Sequence, residues 1–409
     1  MASKRLGTAA ALALVAAVVP LASTGAGAAP PDDVVPGAWI VTVAAGVAPH
    51  EVAADHGRRL GAEVSHVYGH AARGYAARMS SAAAAKAAGD PRVAAVVPDR
   101  YVHTAAKPAG NTTQPPQLPP TGIDRVYVDA EPGLDLTGPA VAVIDTGIER
   151  HPDLNVVGGY NCSTGSSWND GNGHGTHVAG TIGAKNNTSG VVGVAPGVPL
   201  YAVRVLNNAG SGTWSSIICG INWVKANAVA KNIKVANMSL GGGGSDTGCD
   251  DGGLHRAICD ADDAVTFVVA AGNESDDAAR HVPTAYDEVI TVSALADFDG
   301  KGGELASSTC RTDRDDTFAD FSNHGTDVDI IAPGVCIRST WKGGGYNTIS
   351  GTSMAAPHVA GAAALYLAHN SAASVIDVRD ALTRTATSDW NNYDDRDAVK
   401  ESLLKVDTL

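Results

Sequence analysis

The sequence predicts an α/β fold with a mostly parallel sheet, preceded by a small α+β module. Residues 141–144 and 265–269 are apolar runs without polar alternation, typical of strands buried on both faces of a parallel sheet. Each run ends near polar residues, Asp145 in one case and Asn273 in the other. The chain of 409 residues is 44% hydrophobic, so it can bury a large core.

The chain is acidic, with a formal net charge of -14. Its basic residues form no stripe along any segment, and phosphate backbones are bound mainly through such stripes. The composition therefore argues against a nucleic-acid partner.

The first 28 residues have the pattern of a secretory signal. Lys4 and Arg5 precede an apolar run over residues 6–19, and small residues follow up to Ala28, after which we expect cleavage. The alternative is a membrane anchor, but the run is short for a span and no second run of spanning length follows. We expect a secreted, extracellular protein that does not bind membranes.

Residues 38–103 form a compositionally separate unit without cysteine. Their patterns predict three strands and two helices, which together make a small α+β module. The strands are expected over residues 38–43, 75–79 and 93–97, and the helices over residues 48–60 and 81–88. A linker rich in Pro, Thr, Gln and Ala follows over residues 104–120, and we expect it to be extended and open to proteolysis.

Asp145 ends the first apolar run and begins the triplet Asp145-Thr146-Gly147. Catalytic groups in open α/β sheets gather at the carboxyl ends of strands, so Asp145 is a candidate catalytic residue. The same triplet occurs in aspartic proteases, which need two carboxylates that share a proton. This chain has one such triplet in α/β surroundings, which makes that alternative unfavourable.

His174 stands between glycines at the start of a predicted helix that runs toward Ala184. Glycines allow close backbone approach, so an imidazole there can face a cleft. His177 lies one helical turn further on, but the H-E-x-x-H pattern of a zinc site is absent. We interpret His174 as the functional residue and His177 as a packed or hydrogen-bonded core residue.

Ser353 lies between Gly351 and Gly361 in a run of small residues that reads as a helix interrupted by Pro357. A hydroxyl at a helix start lies near free backbone N–H groups that can stabilise an anion, so Ser353 is a candidate nucleophile. The alternative is a serine that merely caps a buried, alanine-rich helix.

The order Asp145, His174, Ser353 and the motifs around the three residues resemble the subtilisin-like serine proteases (subtilases, peptidase S8), within them the secreted, proteinase K-like branch. The resemblance runs from about Gln117 to near the C-terminus. It implies a subtilisin-like three-layer fold and a serine endopeptidase. A lipase or esterase would have a G-x-S-x-G elbow and the order Ser, Asp, His, neither of which this chain has.

The resemblance also implies the role of each residue. His174 takes the proton of Ser353, which then attacks the peptide carbonyl and forms an acyl-enzyme. Asp145 fixes the imidazole tautomer, and Asn273 donates to the oxyanion. A non-catalytic subtilase scaffold that acts as a binding module is the alternative, and the intact set of four residues argues against it.

Side-chain-poor segments are expected to bind an extended polypeptide substrate as an added strand. By resemblance, the residues that line the cleft are Gly210, Gly212, Trp214, Ser239, Leu240, Gly241, Ala270, Ala271 and Gly272. They imply broad specificity with an apolar or aromatic residue before the scissile bond. Asp276 and Asp277 could add some preference for basic residues.

The resemblance further implies structural Ca²⁺ bound by oxygen ligands. The first site would use the side chains of Gln117, Asp153 and Asn187 with the carbonyls of Lys185, Ser189 and Val191. A second site would use Asp329 with the carbonyls of Asp287 and Val289.

An even number of cysteines in an exported chain predicts disulfides, although six cysteines allow fifteen pairings and spacing alone does not choose among them. Closeness in sequence favours Cys249–Cys259 and Cys310–Cys336, which leaves Cys162–Cys219.

The N-terminal module resembles the propeptide of these proteases, which inhibits the enzyme until it is cut off. The expected organisation is a signal peptide over residues 1–28, a propeptide over 29–110 and a catalytic domain over 111–409. We expect the first cut between His103 and Pro116, with the propeptide as intramolecular inhibitor and the mature enzyme as a monomer.

Overall fold

A computed structural model describes residues 33–104, 116–126, 138–397, 399–407 and 409. The expected signal peptide and most of the expected linker lie outside the described residues. Two units follow one another along the chain, an N-terminal module up to Thr104 and a main domain from residue 116 onwards.

The N-terminal module is a four-stranded antiparallel sheet with two helices. Its elements are β1 (Val34–Val43), α1 (Pro49–Leu60), β2 (Glu63–Tyr68), β3 (Gly74–Arg78), α2 (Ser81–Ala88) and β4 (Val93–Thr104). The strand order is β4-β1-β3-β2. Apolar residues of the sheet and both helices form the core of the module, with Val41, Val52 and Tyr75 fully buried.

The five elements expected in the module are present, but β2 was not predicted. Its residues are mostly exposed, so the strand carries little apolar patterning. The last strand is also longer than predicted, since β4 continues to Thr104. Its final residues pair with strands of the main domain, and a partner so distant in sequence leaves no local signal.

The main domain begins with α3 (Thr121–Val126) and alternates strands with helices. Its further helices are α4 (His174–Gly183), α5 (Trp214–Asn227), α6 (Leu254–Cys259), α7 (Thr352–His369) and α8 (Val375–Thr385). Its strands are β5 (Ala140–Asp145), β6 (Val156–Asn161), β7 (Leu200–Arg204), β8 (Ser211–Thr213), β9 (Ile233–Met238), β10 (Leu240–Gly243), β11 (Thr266–Ala270), β12 (His281–Val282), β13 (Val289–Ala296), β14 (Thr317–Phe318), β15 (Ile330–Pro333), β16 (Ile337–Trp341) and β17 (Gly345–Ile349).

The central sheet of the main domain has the order β14-β13-β11-β9-β5-β7-β6, and β15 also pairs with β13. All of its pairs are parallel except β13 with β14. Every residue of β5 and of β11 is buried, as their unbroken apolar sequences predicted. The predicted α/β fold with a mostly parallel sheet, preceded by a small α+β module, is confirmed.

Helices cover both faces of this sheet and make it the middle of three layers. On one face, α4 and α7 pack in a core cluster that contains Val141, Val178 and Val359. On the other face, α5 and α6 pack in a second cluster with Ile144 and Ile217. Buried strands therefore bring Asp145 and Ala270 to one edge of the sheet, where α4 and α7 begin.

Three disulfides link parts of the main domain: Cys162–Cys219, Cys249–Cys259 and Cys310–Cys336, each with a Cα–Cα distance of 5.9 Å. These are the pairs chosen from the sequence. None of the described helices is both long enough and apolar enough to cross a membrane.

Candidate active site

Asp145 and His174 are held together at the carboxyl end of β5. The Nδ1 atom of His174 lies 2.8 and 2.9 Å from the two carboxylate oxygens of Asp145, and both side chains are buried. The Asp145 Oδ1 atom also accepts the backbone N–H of Thr146 at 2.6 Å. A carboxylate at Nδ1 favours the tautomer that carries its proton there, which leaves Nε2 as the basic nitrogen.

Two glycines allow α4 to begin so close to Asp145. Gly173 has φ = +113° and caps the helix, and a Cβ there would lie 2.5 Å from the ring of Trp341. A Cβ on Gly175 would lie 2.2 Å from the carbonyl oxygen of Gly147. The glycines that flank His174 are therefore required by the approach of the helix to the loop after β5.

Asp170 positions these groups, and the sequence analysis did not identify it. The carboxylate of Asp170 is buried and accepts the hydroxyl of Thr146 at 2.9 Å and that of Thr176 at 2.6 Å. It also accepts the backbone N–H groups of Asn172 and Gly173, both at 2.8 Å. The pKa of Asp170 lies above its ordinary value, because the raising effect of burial exceeds the lowering effect of its hydrogen bonds. A single aspartate thus connects the end of β5 to the start of α4.

Ser353 is the second residue of α7 and is fully buried. Its hydroxyl donates to the carbonyl oxygen of Ser239 at 3.1 Å, and the hydroxyl of Ser239 donates back to the carbonyl oxygen of Ser353 at 2.9 Å. The Nε2 atom of His174 has no hydrogen-bond partner among the described residues. The structure therefore shows the Asp145–His174 contact, but no hydrogen bond from Ser353 to His174.

Asn273 lies against the start of α7. Its Oδ1 atom accepts both the backbone N–H of Thr352 at 2.9 Å and the Thr352 hydroxyl at 3.1 Å. These bonds fix which end of the side-chain amide faces Thr352 and turn the NH₂ group away from it. Thr352 is thus a positioning residue that the sequence analysis missed.

His177 and His358 are buried near these residues and are packed in the core. The Nε2 atom of His177 bonds the carbonyl oxygen of Ile337 at 3.0 Å, and Nδ1 of His358 bonds that of Met354 at 2.8 Å. Burial lowers the pKa of His177 to about 3 and that of His358 to about 4, so both are neutral. His177 therefore has the surroundings that the sequence analysis expected of it.

The end of β4 lies between β8 and β10 as an added antiparallel strand. Val102 pairs with Gly212 and His103 with Ser211 on one side, and His103 and Thr104 pair with Gly241 and Leu240 on the other. The backbone N–H of Thr104 also donates to the carbonyl oxygen of Gly210 at 2.9 Å. The expected cleft segments therefore hold an extended peptide, and this peptide belongs to the N-terminal module.

Side chains of this inserted strand alternate between the main domain and solvent. Tyr101 and His103 are exposed, whereas Val102 is fully buried in a cluster with Ile217 and Leu240. Trp214 packs against the same cluster at the start of α5. The structure thus supports an apolar pocket beside Trp214.

The acidic residues after Asn273 are largely engaged within the protein. Asp276 pairs with Arg280 at 3.0 Å and contacts His281 at 3.4 Å, and Asp277 caps the short helical turn that follows. The backbone N–H of Asp277, with smaller contributions from Arg280 and His281, lowers the pKa of Asp276. Because Asp276 is already paired with Arg280 and His281, it is less available to bind a basic side chain of a substrate.

Five of the six predicted ligands of the first Ca²⁺ site lie in contact with another ligand of the set. The amide nitrogen of Gln117 lies 3.1 Å from the carbonyl oxygen of Lys185 and 3.4 Å from that of Val191. Asp153 is buried, and its Oδ1 atom accepts the amide of Asn187 at 2.6 Å. Rotation of each amide by 180° would present oxygen in place of nitrogen, so this donor set fits Ca²⁺.

The predicted second Ca²⁺ site does not fit a cation, because an arginine already supplies the positive charge. The guanidinium of Arg379 donates to the carbonyl oxygens of Asp287 at 2.6 Å and Val289 at 2.5 Å. Its Nε atom also lies 3.4 Å from Asp329. Asp287, Val289 and Asp329 therefore do not fit a second Ca²⁺ ion.

Comparison with known proteins places these features in a family. The model of the subtilase family matches residues 137–402, and that of peptidase inhibitor I9 matches residues 40–105. The chain belongs to the subtilase family. It is a serine endopeptidase with an I9-type N-terminal module.

Several known proteases are similar to this chain. Subtilisin Savinase of Lederbergia lenta is 43% identical over 275 residues, which cover 66% of this chain and 93% of that protein. An alkaline protease of Shouchella clausii is 41% identical over 302 residues, with 73% and 70% covered. A solved cold-adapted subtilisin-like serine proteinase is 36% identical with a TM-score of 0.56, covering 70% of this chain and 97% of that one.

Proposed function

We propose that this subtilase is a secreted precursor that hydrolyses peptide bonds through Asp145, His174 and Ser353 and releases its own N-terminal module. The observation that carries the proposal is the bond from Nδ1 of His174 to both oxygens of Asp145, beside the start of α7. Three disulfides and the signal pattern of residues 1–28 support export to an oxidising compartment.

The reaction begins when the Ser353 hydroxyl changes its hydrogen-bond acceptor from the carbonyl oxygen of Ser239 to Nε2 of His174. As Nε2 takes the proton, Oγ bonds to the carbonyl carbon of the substrate, and an electron pair moves onto the carbonyl oxygen. The amide of Asn273 and the backbone N–H of Ser353 stabilise this oxyanion. Asp145 stabilises the imidazolium and stays ionised.

Collapse of the tetrahedral intermediate breaks the C–N bond and forms the acyl-enzyme. The imidazolium of His174 gives its proton to the leaving amine. Water then attacks the ester, with His174 again as the base, and the acid product leaves as Ser353 regains its proton. Each proton taken from an attacking oxygen is thus returned within the same half-reaction.

The register of β4 supports a specific maturation point. Leu240, the residue next to Ser239, pairs with Thr104, the last described residue of β4. Ser239 is the residue that exchanges hydrogen bonds with Ser353. We therefore propose that the first cut follows Ala105, within the interval expected from the sequence and outside the described residues.

The same register suggests the specificity. With a cut after Ala105, Val102 is the fourth residue before the scissile bond, and its buried side chain predicts an apolar preference at that position. The wall formed by residues 270–272 is small and apolar, which favours an apolar or aromatic residue directly before the bond. Polypeptides are the proposed substrates.

We also propose structural Ca²⁺ at the site of Gln117, Asp153 and Asn187, with the carbonyls of Lys185, Ser189 and Val191. When bound there, the ion would stabilise the fold and take no part in the hydrolysis. The predicted mature form is a monomer.

Ser353→Ala tests the proposal. We expect the variant to accumulate as uncut precursor, whereas wild type and Ser371→Ala mature and hydrolyse peptides. Ser371 is an exposed serine just beyond α7, which makes it a matched control. N-terminal sequencing of the mature protein should give Ala106. Maturation of Ser353→Ala on its own, with retained hydrolysis, would contradict the proposed mechanism.

A further inference from the structure

The side chain of Asn323 is bonded to the loop after β11, which carries Asn273. Asn323 follows β14 and is fully buried. Its Oδ1 atom accepts the backbone N–H groups of Glu274 and Asp276, each at 3.0 Å. Its Nδ2 atom donates to the carbonyl oxygen of Ala271 and to Oε2 of Glu274, each at 2.9 Å. An asparagine amide has two acceptor and two donor positions, so this loop engages all four.

The backbone N–H of Asn323 adds a further bond to the same loop. It donates to the carbonyl oxygen of Gly272 at 3.0 Å. Gly272 has φ = +104°, and a Cβ at that position would lie 2.2 Å from Nδ2 of Asn323. A glycine is therefore required at this position both by the left-handed backbone and by the close approach of the Asn323 amide.

Both peptide groups that flank Asn273 are thus bonded to Asn323. The carbonyl of Gly272 belongs to the peptide group before Asn273, and the N–H of Glu274 belongs to the peptide group after it. Each peptide group is planar, so rotation about φ or ψ of Asn273 would move one of them away from its partner. The bonds to Asn323 therefore fix the direction in which the Asn273 side chain leaves the backbone.

Thr352 holds the side chain of Asn273 from the start of α7. Oδ1 of Asn273 accepts both the N–H and the hydroxyl of Thr352, and this hydroxyl accepts the backbone N–H of Gly272 at 3.1 Å. Thr352 therefore fixes the rotation of the terminal amide, whereas Asn323 fixes the backbone from which the side chain projects. A donor held in this way needs no rearrangement as charge develops on the substrate.

The segment that carries Asn323 is paired with the loop after β11 at further points. The N–H of Ser275 donates to the carbonyl oxygen of Phe321 at 2.9 Å. The N–H of Ala278 donates to the carbonyl oxygen of His324 at 2.8 Å. These bonds lie on both sides of Asn323 in sequence, so they keep its backbone fixed relative to the loop.

We propose that Asn323 is a positioning residue for the oxyanion that acts through the backbone of Asn273, a role that rests on the proposed function of Asn273 in the hydrolysis. All four positions of the Asn323 amide are used within the protein, so none is left for the substrate. A displaced Asn273 amide would lose stabilisation of the transition state and leave binding of the ground state nearly unchanged. Loss of Asn323 should therefore lower kcat and leave KM in place.

The test compares kcat and KM of mature variants on a soluble peptide substrate, with the active enzyme counted by titration with a serine-directed fluorophosphonate. Asn323→Ala should lower kcat about tenfold and change KM by less than about twofold. Asn155→Ala is the matched control. The Asn155 amide joins the segments before β6 and β7 by a bond to the carbonyl oxygen of Gly197 at 2.9 Å, at the opposite edge of the sheet from Asp145. This control should keep the wild-type kcat.

The double variant shows whether Asn323 acts through Asn273. In the Asn273→Ala background the side-chain amide is absent, so adding Asn323→Ala should lower kcat by less than about twofold. A loss of about tenfold in both backgrounds would show that Asn323 acts on a different group and would overturn the proposal. A raised KM with unchanged kcat would also overturn it, because that pattern marks a role in the wall of the cleft.

Asn323→Asp serves the same comparison if Asn323→Ala does not fold. Aspartate keeps the size and the acceptor oxygen of asparagine, but it loses the donor toward Ala271 and places a carboxylate against that of Glu274. We again expect a loss in kcat that is absent in the Asn273→Ala background. A wild-type kcat in Asn273→Ala itself would overturn both the proposed oxyanion role and the role of Asn323. A loss in Asn273→Ala without one in Asn323→Ala would overturn only the role of Asn323.

Discussion

Asp99 of the N-terminal module accepts two hydrogen bonds from Ser215 of the main domain, from the backbone N–H at 3.0 Å and from the hydroxyl at 2.6 Å. Ser215 lies in the first turn of α5, where backbone N–H groups lack partners within the helix. The module therefore caps a helix of the enzyme as well as filling its cleft, and Asp99 is buried in the interface.

Replacing Asp99 should weaken inhibition by the module. Loss of a helix cap costs about 1–2 kcal/mol, so the inhibition constant of Asp99→Ala, added in trans to mature enzyme, should rise about tenfold. Glu51→Gln is the matched control, because Glu51 is exposed on α1. Inhibition constants within twofold of one another for both variants would show that this contact contributes little.

Asn273 should be needed for the chemical step and Thr352 for its orientation. We expect Asn273→Ala to lower kcat by about 10²–10³, a magnitude taken from a subtilisin asparagine, with little change in KM. Thr352→Ala should lower kcat less, and Thr352→Ser should restore it, since serine keeps the hydroxyl that donates to Asn273. Equal losses in Thr352→Ala and Thr352→Ser would contradict the positioning role.

The buried histidines should make stability fall in acid. His358 has a pKa of about 4 in the folded chain and an ordinary value near 6.5 when unfolded, so the unfolded chain binds more protons between these values. The contribution of His358 to the free energy of unfolding is therefore complete above pH 6.5. It is lost as the pH drops toward 4, by up to about 1.4 kcal/mol per pH unit.

Denaturant unfolding of the inactivated mature enzyme between pH 7 and 5 measures this slope. His358→Gln should flatten it by up to one proton, whereas His369→Gln at the exposed end of α7 should leave it unchanged. A slope that is the same in His358→Gln and wild type would show that this histidine is not the source.

Calcium should stabilise the mature enzyme through Asp153 and not through Asp329. Asp153→Asn should lower the melting temperature in Ca²⁺ by about 5–10 °C and change it far less in chelator. Asp329→Asn should keep the wild-type number of bound Ca²⁺ ions, because Arg379 fills that position. Loss of a Ca²⁺ ion in Asp329→Asn would show that the second site exists after all.

Much of the fold was predictable because its signals are local. Unbroken apolar runs indicate buried parallel strands, and Asp145 comes at the end of one of them. Glycines around His174 and Ser353 indicate the tight helix starts. Short motifs, each made of residues close together in sequence, therefore predicted both the fold class and the candidate residues.

The remaining features depend on contacts between distant segments. Asp170 looks like an ordinary loop residue until Thr146 is placed beside it. Arg379 lies on α8, and nothing in its neighbours in sequence indicates that it fills a position expected to hold Ca²⁺. Asp99 and the end of β4 acquire their roles only when the two units pack together.

The most direct test of the central claim is covalent labelling of the mature enzyme with a serine-directed fluorophosphonate, followed by peptide mass spectrometry. The account predicts one adduct per chain, on Ser353, formed at a rate that falls by orders of magnitude in His174→Ala. An enzyme that hydrolyses peptides but is labelled elsewhere, or a labelling rate that is unchanged in His174→Ala, would contradict it.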